Sequence, residues 1–250
     1  MAADFNPMQQ FEVRPLYELP PVAGLDVSFT NASLWMVIAV GLATLLMATA
    51  ASRKALVPGR VQLLGEMAYR FIADMIGTNV GTEGMRYFPF IFSLFMFILF
   101  CNLLGMLPYS FTVTSHLIVT FALAAFVFLM VTAIGFIRHG FGFLRFFVPK
   151  GVPVVMLPLL VVIEVISYLT RPVSLSVRLF GNMMAGHTML KIFGSFVIGL
   201  SAAGLVPLAI APFALMVALT GLELMIAALQ AYVFTILTCI YLNDAIHMHH

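Results

Sequence analysis

Between Arg86 and Arg138 the chain carries no Asp, Glu, Lys or Arg. Pro108 and the polar run "YSFTVTSH" break that stretch into two spans, about 88–107 and 116–137. Upstream, "LWMVIAVGLATLLMATAA" (34–51) offers 18 uncharged residues, just enough to cross a bilayer. Downstream come two longer apolar segments, about 152–194 and 207–242, joined by "GSFVIGLSAAGLVP". Each exceeds the roughly 20 residues that a perpendicular helix needs, so tilt or partial burial is required.

The period changes between 62 and 80. Glu66, Arg70 and Asp74 recur every four residues among Leu63, Leu64, Met67, Phe71, Ile72 and Ile76. That spacing predicts an amphipathic helix lying in the membrane interface or packed against a partner subunit. Residues 1–33 carry Asp4, Glu12, Glu18 and Asp26 against Arg14 alone, with four prolines, and read as an exposed, irregular, acidic arm. The fold class is therefore an all-α polytopic membrane protein. It has about five membrane-embedded helices and one interfacial helix, in a membrane domain spanning 34–250.

Composition agrees with the pattern. Hydrophobic residues make up 62% of the 250, charged ones only 9%, and the mean hydropathy is +1.09; a soluble domain averages about 25% charged. The net charge of +2 gives no reason to expect nucleic acid. Cys101 and Cys239 lie in apolar segments without a CxxC and read as buried thiols. The first 33 residues lack a basic leader, so no cleaved signal peptide is expected. The terminal "HMHH" reads as a solvated tail, with metal binding as the lesser alternative. Asn31-Ala-Ser is a chance glycosylation sequon unless the chain enters a eukaryotic secretory route. Five Lys and Arg fall in the 52–87 loop (Arg53, Lys54, Arg60, Arg70, Arg86) and three in 138–150 (Arg138, Arg145, Lys150), with none between Pro108 and His116. With five spans this puts the N-terminus outside and the C-terminus inside.

The candidate chemistry sits on the last two helices. At about 100° per residue, Glu164, Ser167, Arg171, Ser174, Arg178 and Asn182 share one stripe over about five turns. Polar side chains in a membrane helix face a protein interior or a wet cavity. Ser167 and Ser174 serve equally well as packing residues. Arg178 has no acid within two turns on its own helix, so its partner comes from elsewhere. His187 falls off the stripe. On the last helix Glu223, Gln230 and Tyr241 align within about 20°. In an antiparallel pair, residues at one depth have numbers of nearly constant sum. Arg178 with Gln230 and His187 with Glu223 satisfy one such register.

"RPVSLSVRLFGNMMAGH" (171–187), "LQAYVFTILTCIYL" (229–242) and, less specifically, "NLLGMLPYSFTVTSHLIVT" (102–120) resemble the subunit a family of F-type ATP synthases, over about 86–243. The resemblance implies a non-catalytic stator subunit. Its last two helices form a long tilted hairpin against a rotating ring of c subunits, each bearing one mid-membrane carboxyl group. Peripheral-stalk b subunits, the rest of the complex and membrane lipid are the other implied partners, and no cofactor or metal is called for. Arg178 matches the essential arginine of the family, Asn182 the asparagine one turn on and Gln230 the adjacent glutamine. Glu164 matches an acid of the inner aqueous half-channel, and His187 with Glu223 the outer pair. Many bacterial members have the acid and histidine of that pair exchanged; the order here is that of mitochondrial-type members. The implied ion is the proton, since these positions offer a histidine and one acid rather than an oxygen-rich cage. The implied site is the bacterial inner membrane, with the mitochondrial inner membrane as alternative. From the residues alone, a transporter or membrane enzyme holding an anionic substrate on Arg171, Arg178 and Asn182 stays open, although no inverted repeat supports it. The chain has no P-loop and so does not itself make ATP.

Overall fold

The computed structural model describes residues 10–18, 20, 28–52, 59–107, 110–148 and 156–247, with the backbone alone at 145–147. Arg53, Lys54 and Lys150 of the orientation argument, Asp4 and Asp26 of the arm, Pro108, 152–155 of the expected fourth span-length segment and 248–250 of the terminal histidine run lie outside them. Among the described residues six α-helices follow two short strands: β1 Pro15–Tyr17, β2 Phe29–Thr30, α1 Asn31–Ser52, α2 Arg60–Asn79, α3 Phe88–Gly105, α4 Leu117–His139, α5 Leu157–Ala202 and α6 Val206–Ile246. Five helical segments among the described residues are long and apolar enough to cross a membrane: Asn31–Ser52, Thr82–Gly105, Leu117–Leu144, Leu157–Ala202 and Val206–Ile246. Only helices and closed barrels satisfy their backbone groups in hydrocarbon, so long apolar runs of this kind fold as helices.

The described part of the arm holds two short strands where irregular backbone was expected. Its strands pair antiparallel, and Asn31 ties them to α1. The Asn31 side chain accepts from the Arg14 and Ala32 amides at 3.1 and 2.9 Å and donates to the Glu12 carbonyl at 3.1 Å. The sequon asparagine is thus spent on the fold. Thr30 Oγ1 accepts from the Ser33 amide at 3.4 Å, the hydroxyl cap expected at a helix N-terminus.

α5 and α6 have 46 and 41 residues, so each is roughly 60–70 Å long at 1.5 Å per residue, about twice the hydrocarbon thickness. The connector read from the sequence as 194–207 is mostly helix. α5 stops where Gly204 takes φ +77° and the Leu205 amide returns to the Leu200 carbonyl at 3.0 Å. That is a left-handed helix terminus, which glycine adopts without a Cβ penalty. Pro207, next to the first residue of α6, has no amide hydrogen to lose there.

The chain packs as two compact units that alternate along the sequence. One contains Met1–Met47, Met96–His116 and Leu179–Ala231; the other contains Ala48–Phe95, Leu117–Arg178 and Tyr232–His250. In the first, Asn102 is fully buried and its amide donates to the Ala227 carbonyl at 3.0 Å, fastening α3 to α6. In the second, α2 turns Ile72, Met75 and Ile76 inward while Leu63, Leu64 and Met67 stay exposed. Phe71 packs its ring 5.7 Å from Phe95 and 5.8 Å from Tyr232. Arg138 at the end of α4 pairs with Glu83, and His139 Nε2 donates to the Ile246 carbonyl at 3.1 Å. Large apolar side chains such as Val37, Phe126, Ile137, Ile163 and Ile210 are exposed on the spans, as a lipid-facing surface requires.

Candidate functional site

In the first unit α5 and α6 run antiparallel, and their polar residues meet. His187 Nε2 lies 3.5 Å from Glu223 Oε1, with the two side chains only 12% and 4% exposed. Glu223 comes this close to α5 because residue 186 is glycine: a Cβ there would lie 2.7 Å from Oε1. Both Glu223 oxygens are buried and accept no hydrogen bond among the described residues. A buried carboxyl group so placed is costly unless a proton or a donor reaches it.

Thr112, from the buried segment between α3 and α4, closes this cluster. Its Oγ1 lies 3.1 Å from His187 Nε2 and 3.3 Å from the Gly105 carbonyl. The hydroxyl proton goes to the carbonyl, so Oγ1 accepts from Nε2. In that tautomer the hydrogen is on Nε2, the nitrogen that also faces Glu223. The same segment buries Thr114 and Ser115 and stacks His116 on Phe111 at 4.9 Å. Burial holds the His116 imidazole below its ordinary range.

One and a half to two turns further along the same hairpin, Asn182 Nδ2 donates to Gln230 Oε1 at 3.1 Å. Gln230 is 2% exposed, and its own amide nitrogen finds no partner among the described residues. The His187–Glu223 contact is the one expected from the residue numbers, whereas Gln230, expected at the depth of Arg178, bonds to Asn182, one turn on.

The second unit holds the other half of the stripe. Glu164 and Arg171 are half-buried; Ser167, Ser174 and Arg178 are exposed. Tyr168, Leu175 and Ser176, on the neighbouring face of α5, are buried. The stripe therefore runs along an open edge of the helix. Arg171 donates to Asp244 at 3.0 Å. Neither Glu164 nor Arg178 has an ion-pair partner among the described residues of that unit.

Three participants escaped the reading of the sequence. The register that joins His187 to Glu223 points to Cys239 rather than Asp244 at the depth of Arg171, so it gave no sign of the acid. Asn102 could have been found as the sole amide side chain of the charge-free run. Thr112 carries no local signal, since its role depends on how the segment before α4 folds.

Fold and site together define a polytopic membrane protein whose last two helices carry a buried histidine–carboxyl pair and an arginine exposed on a spanning helix. Comparison with known proteins makes the class specific. The family model of the ATP synthase A chain matches residues 32–243, and the chain belongs to that family. It is 59% identical to ATP synthase subunit a of Pelagibacter ubique (strain HTCC1062), over 98% of this chain and 99% of that protein. It is 57% identical to ATP synthase subunit a of Rhodospirillum rubrum, again over 98% and 99%. With ATP synthase subunit a of Mesorhizobium japonicum (strain LMG 29417 / CECT 9101 / MAFF 303099) it shares 56% identity over both full lengths.

Proposed function

We propose that this chain is the proton-translocating stator subunit of an F-type ATP synthase, with Arg178 as the electrostatic separator between two aqueous half-channels. One observation carries the reading: Arg178 is exposed on a membrane-spanning helix, with no carboxylate to pair with among the described residues of its unit. An arginine left to lipid at mid-bilayer costs at least about 2.5–3.5 kcal/mol. A partner that brings a carboxyl group to this edge removes that cost.

The guanidinium stays charged throughout. It favours the ionised form of a rotor carboxyl arriving beside it, so the proton leaves through one half-channel. A carboxylate that has moved past Arg178 takes a proton from the other. The fixed cation also repels protons and blocks a direct leak. Glu164 lines the inner half-channel, and Asn182 and Gln230 stand beside the crossing point. His187 and Glu223 serve the outer half-channel: the Nε2 proton lies within reach of the buried carboxyl group.

The chain contributes no catalytic group to ATP chemistry. Its partners are the c-ring, the b subunits of the peripheral stalk, the rest of the complex and lipid. The bacterial relatives support the bacterial inner membrane over the mitochondrial one, and the distribution of lysine and arginine supports an N-terminus outside and a C-terminus in the cytoplasm. Anion binding by Arg171, Arg178 and Asn182 is disfavoured, because Asp244 engages Arg171 and Gln230 engages Asn182.

The test is purification of the tagged chain from its native membrane in mild detergent. A c-ring recovered at fixed stoichiometry is the expected result. A chain that purifies without any ring, while binding small anions, sinks the proposal.

A further inference from the structure

Arg171 and Arg178 stand two turns apart on the same edge of α5, a separation of roughly 10 Å at 1.5 Å per residue. They are held very differently. Arg171 Nη1 donates to Asp244 Oδ2 at 3.0 Å, with the two side chains 19% and 33% exposed. Its guanidinium carbon lies 4.8 Å from the ring centroid of Tyr241 and 5.2 Å from that of Tyr168. The Tyr168 hydroxyl meets Thr132 Oγ1 at 2.7 Å, and Thr132 donates its own proton to the Phe128 carbonyl at 2.7 Å. A chain of contacts from α4 through Tyr168 thus fixes Arg171 against α6, and Asp244 completes it. Arg178 is exposed and has no carboxylate among the described residues of this unit.

We infer that Asp244 cancels the charge of Arg171, so that the stripe presents its partner with one uncompensated guanidinium, Arg178, rather than two. The inference rests on the reading of Arg178 given above. A carboxylate passing through a low-dielectric contact is held by an isolated guanidinium, whereas the field of a close ion pair falls off much faster with distance. With Arg171 left unpaired, a rotor carboxylate would meet a second holding position two turns from Arg178. Rotation would then slow without opening a leak. Asp244 acts through Arg171 and is a positioning residue, not a proton carrier. The aromatic faces on Arg171 add to its hold at little cost in solvation, since guanidinium is weakly hydrated and stacks well.

The test uses the assembled complex in membrane vesicles, with each rate expressed per assembled complex. Asp244→Asn is expected to lower ATP-driven proton pumping about tenfold, with passive proton leak unchanged. Adding Arg171→Gln in the same chain removes the stranded cation and should restore pumping to within about threefold of the unmodified complex. A pair that merely fastened the helices would instead reduce the amount of complex and leave the rate per complex unchanged. That result overturns the inference. So does a double variant that pumps as slowly as Asp244→Asn. Where Asp244→Asn fails to assemble, the double variant decides alone: near-normal pumping supports charge cancellation, and a tenth of the normal rate refutes it. Normal pumping by Arg178→Ala would overturn the separator reading as well, which keeps the two failures distinct.

Discussion

Gly186 and Glu223 share one small space: a Cβ on Gly186 would lie 2.7 Å from the Glu223 Oε1 and 2.9 Å from the carboxyl carbon. The obstructed atoms are the far end of a side chain, not backbone. Gly186→Ala should therefore leave the helices packed and push the carboxyl group off His187. A displacement of about 1 Å at a reacting group can cost on the order of a hundredfold in rate. We expect passive proton flux through the membrane sector to fall by ten- to a hundredfold, with normal amounts of assembled complex. Unchanged flux would mean that the close approach is incidental.

How much of this could be read from the sequence depends on the length scale of each feature. The spans of α1, α3, α4 and α6 were legible because about 18 or more uncharged residues have few other folds available, and α5 because its apolar run is long despite four charged residues. The His187–Glu223 meeting was legible too, since an antiparallel register is fixed once two depths agree. The end of α5 was not. Its last turns contain Gly194, Gly199 and two serines, which look like a connector, but Ser195 satisfies itself on the Ile192 carbonyl at 2.7 Å and the helix continues. The strands of the arm, three and two residues long, are too short to carry a period. Thr112 depends on a tertiary arrangement that no local pattern encodes.

The exposed guanidinium of Arg178 gives the most direct prediction. Arg178→Ala should abolish coupled ATP synthesis while the complex still assembles, because the side chain makes no ion pair within its own unit. Lysine should substitute poorly: an ammonium group loses its proton in apolar surroundings far more readily than a guanidinium does. ATP-driven acidification of vesicles carrying each variant checks both statements, and near-normal acidification with alanine would reject the separator role.

Glu164 sits on the Arg178 edge of α5, four turns nearer the beginning of that helix. It is half-buried and unpaired among the described residues of its unit. The proposed inner half-channel would keep such a carboxyl group in contact with water. In a background lacking Cys101 and Cys239, Glu164→Cys should react with a small water-soluble thiol reagent supplied from the cytoplasmic side. Reaction confined to the opposite side would invert the topology.

His187 and Glu223 make the last case, because their geometry predicts interdependence. Nε2 stands 3.5 Å from Oε1 and 3.1 Å from Thr112 Oγ1, so a proton on Nε2 has both an acceptor that holds it and one that can receive it. Groups this close titrate as a pair, and neither has a private ionisation. His187→Ala and Glu223→Ala should each slow passive proton flux about a hundredfold, the size expected when one proton-transfer partner is removed. Each should also change the pH dependence of the remaining flux. The exchange His187→Glu with Glu223→His keeps one base and one acid facing each other across the same helix contact. Gly186 still leaves room on the α5 side, although a ring at 223 needs more of it than a carboxyl group does. The double exchange should therefore recover more flux than either single exchange, without reaching the unmodified rate. Effects of the two single exchanges that simply multiply in the double variant would show that the groups act separately, and the paired relay would have to be abandoned.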